Sequence, residues 1–334
     1  MLGARKVVVT QRFFDDRAHA YLRSHGCEVT IASLPAGKAD GDLSHDALVE
    51  ILAGAAGWIV GHARVTRELL AALPDLRIVS RRGVGHERVD LAAARELGRV
   101  VTIAAGGNDA SVADHTIGLM LAVGRRLRES QQRMIDGDWS ILKGSDLCEK
   151  TVGLIGLGRI GKSVVKRLSG FDCKVLVHTP RPDADYARAS GVQFVDLPQL
   201  LARGDYVSLH APLTPETRFL IDEAAIDAMK PTAILINTAR GGLVEDAHLL
   251  DALRAGRLAG AGLDVYVSES DPAYAPVSQA LLDLPNVIGT PHAAASSREG
   301  LDRTNMVAAR AVVAVLDGDD GAPECVVADG REGR

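Results

Sequence analysis

Residues 152–161 read Val152-Gly153-Leu154-Ile155-Gly156-Leu157-Gly158-Arg159-Ile160-Gly161, an apolar run that ends in GxGxxG and passes at once into a helical pattern. A strand turning sharply into a helix on three glycines is suited to hold the pyrophosphate of a dinucleotide. Gly156 permits the tight turn, Gly158 lets the backbone approach the phosphates, and Gly161 allows the helix to pack closely on the strand. The helix N-terminus adds unpaired N–H groups and partial positive charge. Glycine-rich turns also arise for purely structural reasons, so the strand before and the helix after carry the dinucleotide reading.

Outward from this turn the chain alternates between short apolar runs and helical spacings. Strands are expected at 7–10, 28–31, 58–61, 77–80 and 99–103, then at 152–155, 174–178, 206–210, 233–237, 261–264 and 287–289. Alternation of this kind gives parallel sheets with crossover helices. The fold expected is α/β, with two Rossmann-like doubly wound parallel-sheet domains and an interdomain cleft, the usual place for a small-molecule site. One long helix, 109 to about 134, is read as the connector, and a last helix over about 296–316 as being followed only by a polar tail.

Composition narrows the function classes. The chain has 334 residues, 38 Lys+Arg against 43 Asp+Glu (net −5), 34 glycines and 47% hydrophobic residues, which excludes a disordered chain and suits about two domains. No basic tract suggests nucleic acid or an anionic membrane as partner. The longest apolar stretch, around 117–123, falls well short of the ~18 residues that span a bilayer. The N-terminus reads as a first strand and not as a signal peptide, so a cytoplasmic location is expected. Cys27, Cys148, Cys173 and Cys325 form no CxxC pair, which suits neither a disulfide framework nor a metal site.

In an NAD enzyme the strand after the glycine turn ends in a carboxylate that binds the adenosine ribose. Here the strand ends His178-Thr179-Pro180-Arg181, with Thr179 where the acid is expected, and Asp172 lies before the strand. Without that carboxylate a 2′-phosphate meets no repulsion, and Arg181 offers it a planar donor fork. NADP(H) is therefore favoured and NAD(H) possible, since Arg181 could equally be a solvated loop residue and Thr179 tolerate NAD.

Three more strands end in reactive side chains: Arg240 in Asn237-Thr238-Ala239-Arg240-Gly241-Gly242, Glu269 beyond Leu263-Asp264-Val265, and His292 in Thr290-Pro291-His292. Parallel strands aim their C-terminal ends at one crevice, so these groups could converge. Reduction of a 2-keto acid needs a hydride, a proton for the new alkoxide and positive charge on the carbonyl and carboxylate. His292 can supply the proton, Glu269 can favour its charged form, and Arg240 carries a permanent charge. Each also has a duller reading, as a structural histidine, a helix-capping or ion-paired arginine, and a polar loop acid.

Taken together with Leu209-His210-Ala211-Pro212-Leu213-Thr214-Pro215-Glu216-Thr217 and Gly262-Leu263-Asp264-Val265, these motifs make the chain resemble the D-isomer-specific 2-hydroxyacid dehydrogenases along almost its whole length. The resemblance implies that Arg240, Glu269 and His292 are the catalytic set. It also implies that Thr238, Ala239 and Asp264 line the nicotinamide, that Arg159 and Ile160 meet the pyrophosphate, and that Pro212 and Thr217, with His210, lie on the cofactor's ribose side. Arg81-Arg82-Gly83-Val84-Gly85 looks like the family's substrate loop, in which backbone N–H groups bind the carboxylate, so Arg81, Val84 and Gly85 are its candidate residues.

The family fold is discontinuous, which places a substrate-binding domain at 1–105 plus 296–330 and the dinucleotide-binding domain at 106–295. It also implies a homodimer, with the long helix and the Trp139 segment in contact, and no metal. Thr179, Ser270 and Glu87-Arg88 depart from the usual Asp, Pro and Asp-Asn. The favoured function is an NADPH-preferring reductase of a small-molecule 2-keto acid such as glyoxylate or hydroxypyruvate. The alternatives are a D-3-phosphoglycerate dehydrogenase-like enzyme, whose second anionic group Arg81 and Arg82 could read, and a nucleotide-sensing protein like the corepressors that share the fold. The regulatory extension of many phosphoglycerate dehydrogenases is not expected, because only 42 residues (334 − 292) follow His292.

Overall fold

In the computed structural model, which describes residues 5–331, two parallel sheets form around the expected strands. The first contains β1 (Lys6–Val9), β2 (Glu28–Ile31), β3 (Gly57–Val60), β4 (Ile78–Arg81) and β5 (Val100–Ile103). The second contains β6 (Thr151–Ile155), β7 (Lys174–His178), β8 (Gln193–Phe194), β9 (Tyr206–Leu209), β10 (Ile234–Asn237), β11 (Gly260–Leu263) and β12 (Val287–Gly289). A final strand, β13 (Val326–Asp329), joins the first sheet, giving the orders β13-β5-β4-β3-β1-β2 and β12-β11-β10-β9-β6-β7-β8.

The central strands are apolar without alternation, as Gly57–Val60 and Ile234–Asn237 show, because helices cover both faces of a parallel sheet. The contacts divide the chain into two compact units, one of residues 1–108 with 295–334 and one of residues 109–294. Within the first, the helix Arg298–Asp317 buries Ala308, Val312 and Leu316 against β1, β3 and β4 together with Val7, Ile59 and Ile78. Within the second, the helix Asp109–Gly124 buries Ile117 and Met120 among Val152, Leu154 and Ile236. Each fully buried Val, Leu, Ile or Met side chain among these contributes about 1.5–3 kcal/mol.

Two expectations are corrected. The long connector helix is broken into Asp109–Gly124 and Leu127–Ile135, with Arg126 in the left-handed region at φ 52°. The break has a physical cause: Gly124 lies so close to the Tyr206 hydroxyl that a Cβ there would fall 2.3 Å from it, and the Gly124 carbonyl accepts from Ser145 N–H at 2.7 Å instead of from a further helical turn. The tail after the last helix is not merely polar, because Val326–Asp329 pairs antiparallel with β5 at the sheet edge. The short edge strand β8, beside β7, has no counterpart among the expected strands.

Candidate active site

Most site elements of the second unit sit at the C-terminal ends of strands in its sheet, joined by side chains of the helix Asp109–Gly124. After β6 the chain turns on Gly156, at φ +100°, where a Cβ would fall 2.6 Å from the His210 carbonyl oxygen; only glycine fits. A Cβ on Gly161 would fall 2.7 Å from the Gly156 oxygen, so helix and strand pack as closely as the motif requires. Gly158 caps the helix Arg159–Leu168 with no side-chain hydrogen bond, and the space beside its Cα is open. A dinucleotide pyrophosphate fits this turn, with the first N–H groups of the helix to hold it. The Arg159 side chain is turned to Asp109 at 2.8 Å, and Ile160 is half-buried.

At the end of β7, Thr179 accepts from the Arg181 backbone N–H at 3.4 Å, and Arg181 itself is exposed. No acid pairs with Arg181 among the described residues; the nearby Asp183 caps the next helix at Tyr186 N–H and faces Lys162 at 3.7 Å. His210, beyond β9, lies 2.9 Å from Ser208 Oγ through Nε2. Although only half-buried by surface area, its ring is enclosed closely enough that desolvation pulls its pKa down to about 4, which keeps it neutral. Thr217 Oγ1 donates to the Pro212 carbonyl at 2.7 Å and accepts from Thr214 N–H at 2.8 Å, closing the loop that carries Pro212.

The reactive groups come together beyond β10, β11 and β12. Glu269 Oε2 lies 2.7 Å from His292 Nδ1, and Glu269 Oε1 accepts from Tyr266 N–H at 2.9 Å. Burial works against the Glu269 carboxylate, but the hydrogen bond and charge of His292, the Tyr266 N–H and the Arg240 charge outweigh it, so its pKa lies below the usual carboxylate value. Both side chains keep solvent access, 37% for His292 and 36% for Glu269. Nδ1 is the ring nitrogen engaged by Glu269, and that contact fixes the orientation of the imidazole. Arg240 is steered by its own segment, through Asn237 Nδ2 to the Arg240 carbonyl (2.8 Å) and Arg240 Nη1 to the Ala239 carbonyl (2.7 Å).

His292 occupies the left-handed region at φ 52°, an unusual conformation for a non-glycine residue. Asp264 holds it there. The Asp264 carbonyl accepts from His292 N–H at 2.8 Å, while its carboxylate accepts from Thr290 Oγ1 (2.5 Å), Ala293 N–H (2.8 Å) and Ala294 N–H (2.9 Å). The side chain is thus buried and spent on the turn that carries His292. His115 Nε2 joins the cluster at 2.9 Å from Thr290 Oγ1, and buried Thr238 hydrogen-bonds Thr116 at 2.9 Å beside half-buried Ala239. No motif in the sequence marks His115 or Thr116, which sit on the helix Asp109–Gly124 among other polar residues such as Asp109, Ser111 and Asp114.

In the first unit the loop 81–85 follows β4. Arg81 is buried and its Nε donates to the Gly85 carbonyl at 3.0 Å, while Val84 and Gly85 are half-buried. Arg82 donates to the Arg12 carbonyl at 2.8 Å. Among the described residues no group of three or more His, Cys, Asp or Glu is placed to hold a metal ion, and no helix is long and apolar enough to cross a membrane.

Comparison with known proteins identifies the family. The sequence model of the D-isomer specific 2-hydroxyacid dehydrogenase NAD binding domain matches residues 117–294. The chain is 37% identical to a D-3-phosphoglycerate dehydrogenase of Archaeoglobus fulgidus over 94% of its own length, spanning 58% of that protein. To a glyoxylate reductase of Thermofilum pendens it is 40% identical, over 77% of this chain and 76% of that one. Among solved structures, the TT0316 protein of Thermus thermophilus superposes with a TM-score of 0.85 at 38% identity, covering 96% of this chain and 100% of that one. D-lactate dehydrogenase of Aquifex aeolicus, solved with NAD and lactic acid, gives 0.82 at 28%, over 96% and 98%. The chain belongs to the D-isomer specific 2-hydroxyacid dehydrogenase family.

Proposed function

We propose that the protein is an NAD(P)-dependent oxidoreductase that interconverts a 2-keto acid and a D-2-hydroxy acid, acting chiefly as an NADPH-preferring reductase of a small substrate such as glyoxylate or hydroxypyruvate. The observation that carries this reading is the 2.7 Å pairing of His292 with Glu269, with the charge of Arg240 acting on the same carboxylate, on the strand ends that also carry the glycine turn. When bound, the nicotinamide supplies or accepts the hydride at the substrate's C2. His292 Nε2 gives its proton to the carbonyl oxygen as that oxygen gains charge, and takes one back in the reverse direction. Glu269 orients the ring and stabilises its protonated form. Arg240 polarises the carbonyl and holds the substrate carboxylate. To the loop of Arg81, Val84 and Gly85 we assign carboxylate binding through backbone N–H groups.

NADPH is favoured by Thr179 at the end of β7, where a carboxylate would repel a 2′-phosphate, and by Arg181 beside it. The name of one relative supports a second substrate, 3-phosphohydroxypyruvate, whose second anionic group Arg81 and Arg82 of the substrate loop could read. We assign the active form as a homodimer in the cytosol. Leu127, Met134, Ile135, Trp139 (75% exposed) and Ile141 (97%) bring large apolar side chains to the surface within one 15-residue stretch, and a second copy of the chain would cover them. Replacing Trp139 and Ile141 by Asp should halve the mass measured by light scattering; an unchanged mass would remove this segment from the interface.

The deciding assay follows the absorbance of NADPH and of NADH with glyoxylate, hydroxypyruvate, phenylpyruvate and 3-phosphohydroxypyruvate in parallel. Faster turnover with NADPH on either of the first two substrates is the expected result. Turnover only on the phosphorylated acid would select the second reading, and tight cofactor binding without turnover on any of them would favour a sensing role.

A further inference from the structure

One buried acid near the reactive groups has no part in the chemistry above. Asp246 opens the helix Asp246–Arg254, six residues after Arg240, and is 2% exposed. Its Oδ2 accepts from Val267 N–H at 3.0 Å, on the short turn Val267–Glu269 that presents Glu269. One residue earlier on that turn, Tyr266 N–H holds Glu269 Oε1. On the other side of the same junction, a Cβ on Gly241 would fall 2.2 Å from the Tyr266 carbonyl carbon and oxygen, so the segment carrying Arg240 lies directly on the Tyr266–Val267 peptide. The backbone next to Arg240 and the turn bearing Glu269 are therefore fastened at one point, where glycine gives the close approach and Asp246 the side-chain acceptor for Val267 N–H.

We infer that Asp246 is a positioning residue of the reaction, whose bond to Val267 N–H sets the separation between Arg240 and the Glu269–His292 pair. The inference rests on the catalytic reading of those three residues. Without the bond, Val267 N–H is left without that acceptor in a buried place, and the turn can move to satisfy it. A displacement of the order of 1 Å at a catalytic group costs rate out of proportion to any change in binding. A merely structural acid would lower stability and leave the Glu269–His292 contact as it is.

Asparagine keeps an acceptor oxygen of the same reach, and alanine removes it. Burial pushes the Asp246 pKa up to about 7, with Glu245 and Glu269 adding to the rise, so a neutral carboxamide is already close in charge to the native side chain on the acid side of neutrality. The test uses the full chain, labelled with 15N in its histidines, in wild-type form and as Asp246→Asn, Asp246→Ala and Glu269→Gln, with His292→Gln to identify the His292 resonances. In Asp246→Asn the His292 Nδ1 resonance should stay at its wild-type position, and in Asp246→Ala it should move towards the position found in Glu269→Gln. With hydroxypyruvate and NADPH, kcat should fall roughly 10- to 100-fold in Asp246→Ala and within about threefold in Asp246→Asn, with KM for the cofactor unchanged in both.

A His292 resonance in Asp246→Ala that coincides with wild type would overturn the positioning role, and so would an equal loss of kcat in both variants. The catalytic reading fails separately, if His292→Gln turns over like wild type. The nitrogen spectrum needs no substrate and decides the geometric claim by itself.

Discussion

The C-terminal edges of the two sheets are built alike, yet two of their carboxylates, Asp40 in the first unit and Glu269 in the second, are used in opposite ways. In the first unit Asp40, 1% exposed, accepts from four donors: Thr10 Oγ1 (2.9 Å), Gln11 Nε2 (2.9 Å), Gly61 N–H (2.7 Å) and His62 N–H (2.8 Å). It ties the ends of β1 and β3 together and has no capacity left. In the second unit Glu269 keeps solvent access, accepts a backbone N–H with one oxygen and faces a titratable ring with the other. A carboxylate saturated by N–H and O–H donors is a fastening; one that faces an imidazole with solvent beside it is equipped to support proton transfer.

The contrast breaks most visibly at His292. His292→Ala should lower kcat roughly 100- to 10,000-fold, the usual contribution of a positioned general acid, while cofactor affinity measured by fluorescence titration stays within twofold. Survival of turnover within a few-fold of wild type would mean that the open edge carries no proton donor there. Asp40→Ala should do the reverse. It leaves four donors without their acceptor in a buried place, so urea unfolding should show a loss of about 3 kcal/mol, while kcat of the protein that remains folded changes little. A loss below about 1 kcal/mol would show that Asp40 is not the fastening its contacts describe.

Much of this edge was legible in the chain, and the reasons are specific. Strands such as Val152–Ile155 and Ile234–Asn237 stand out because a sheet buried on both faces demands unbroken apolar runs, and Arg240, Glu269 and His292 stand out because they follow such runs. The break at Gly124–Arg126 was not legible, because two arginines continue a helical pattern and the helix is ended by distant partners, Tyr206 and Ser145. β13 was hidden because its run, Cys325-Val326-Val327-Ala328, stands between acidic residues in a polar tail, and its place in the sheet comes from pairing with β5. Asp246 was invisible since acids at the first turn of a helix are ordinary, and nothing in the sequence distinguishes a solvated one from one buried against Val267.

pH sharpens the same comparison inside the second unit. The Asp246 pKa is raised from its ordinary value to about 7 in the folded protein, so between about pH 4 and 7 the folded state holds a proton that the unfolded chain releases. Its contribution to stability is therefore lost as pH rises through that window and is constant above it. Glu269 has the opposite sign: its pKa is lowered, its contribution is present above the ordinary carboxylate range and vanishes only as pH falls below it. His210, held down to about 4, adds stability as pH rises towards 6.5, but equally in wild type and variant. Chemical denaturation at pH 5 and pH 8 should thus find wild type losing about 2 kcal/mol relative to Asp246→Asn between the two conditions. A difference independent of pH would mean that Asp246 is ionised throughout.

The smallest effect concerns two arginines that end strands in the two units. Arg81, at the end of β4, is buried and its Nε is committed to the Gly85 carbonyl, whereas Arg181, just past β7, is exposed with no acid paired to it among the described residues. An exposed guanidinium contributes little to folding, so Arg181→Ala should leave stability unchanged. If it meets a 2′-phosphate, the variant should bind NADPH about tenfold more weakly and NADH within twofold of wild type, and the NADPH penalty should shrink as salt is raised, because an ion pair at the surface is screened. Equal weakening of both cofactors would assign Arg181 to the adenosine ring or the loop fold and return the choice of cofactor to Thr179, whose hydroxyl already holds the Arg181 backbone N–H and would then be the group that admits either ribose.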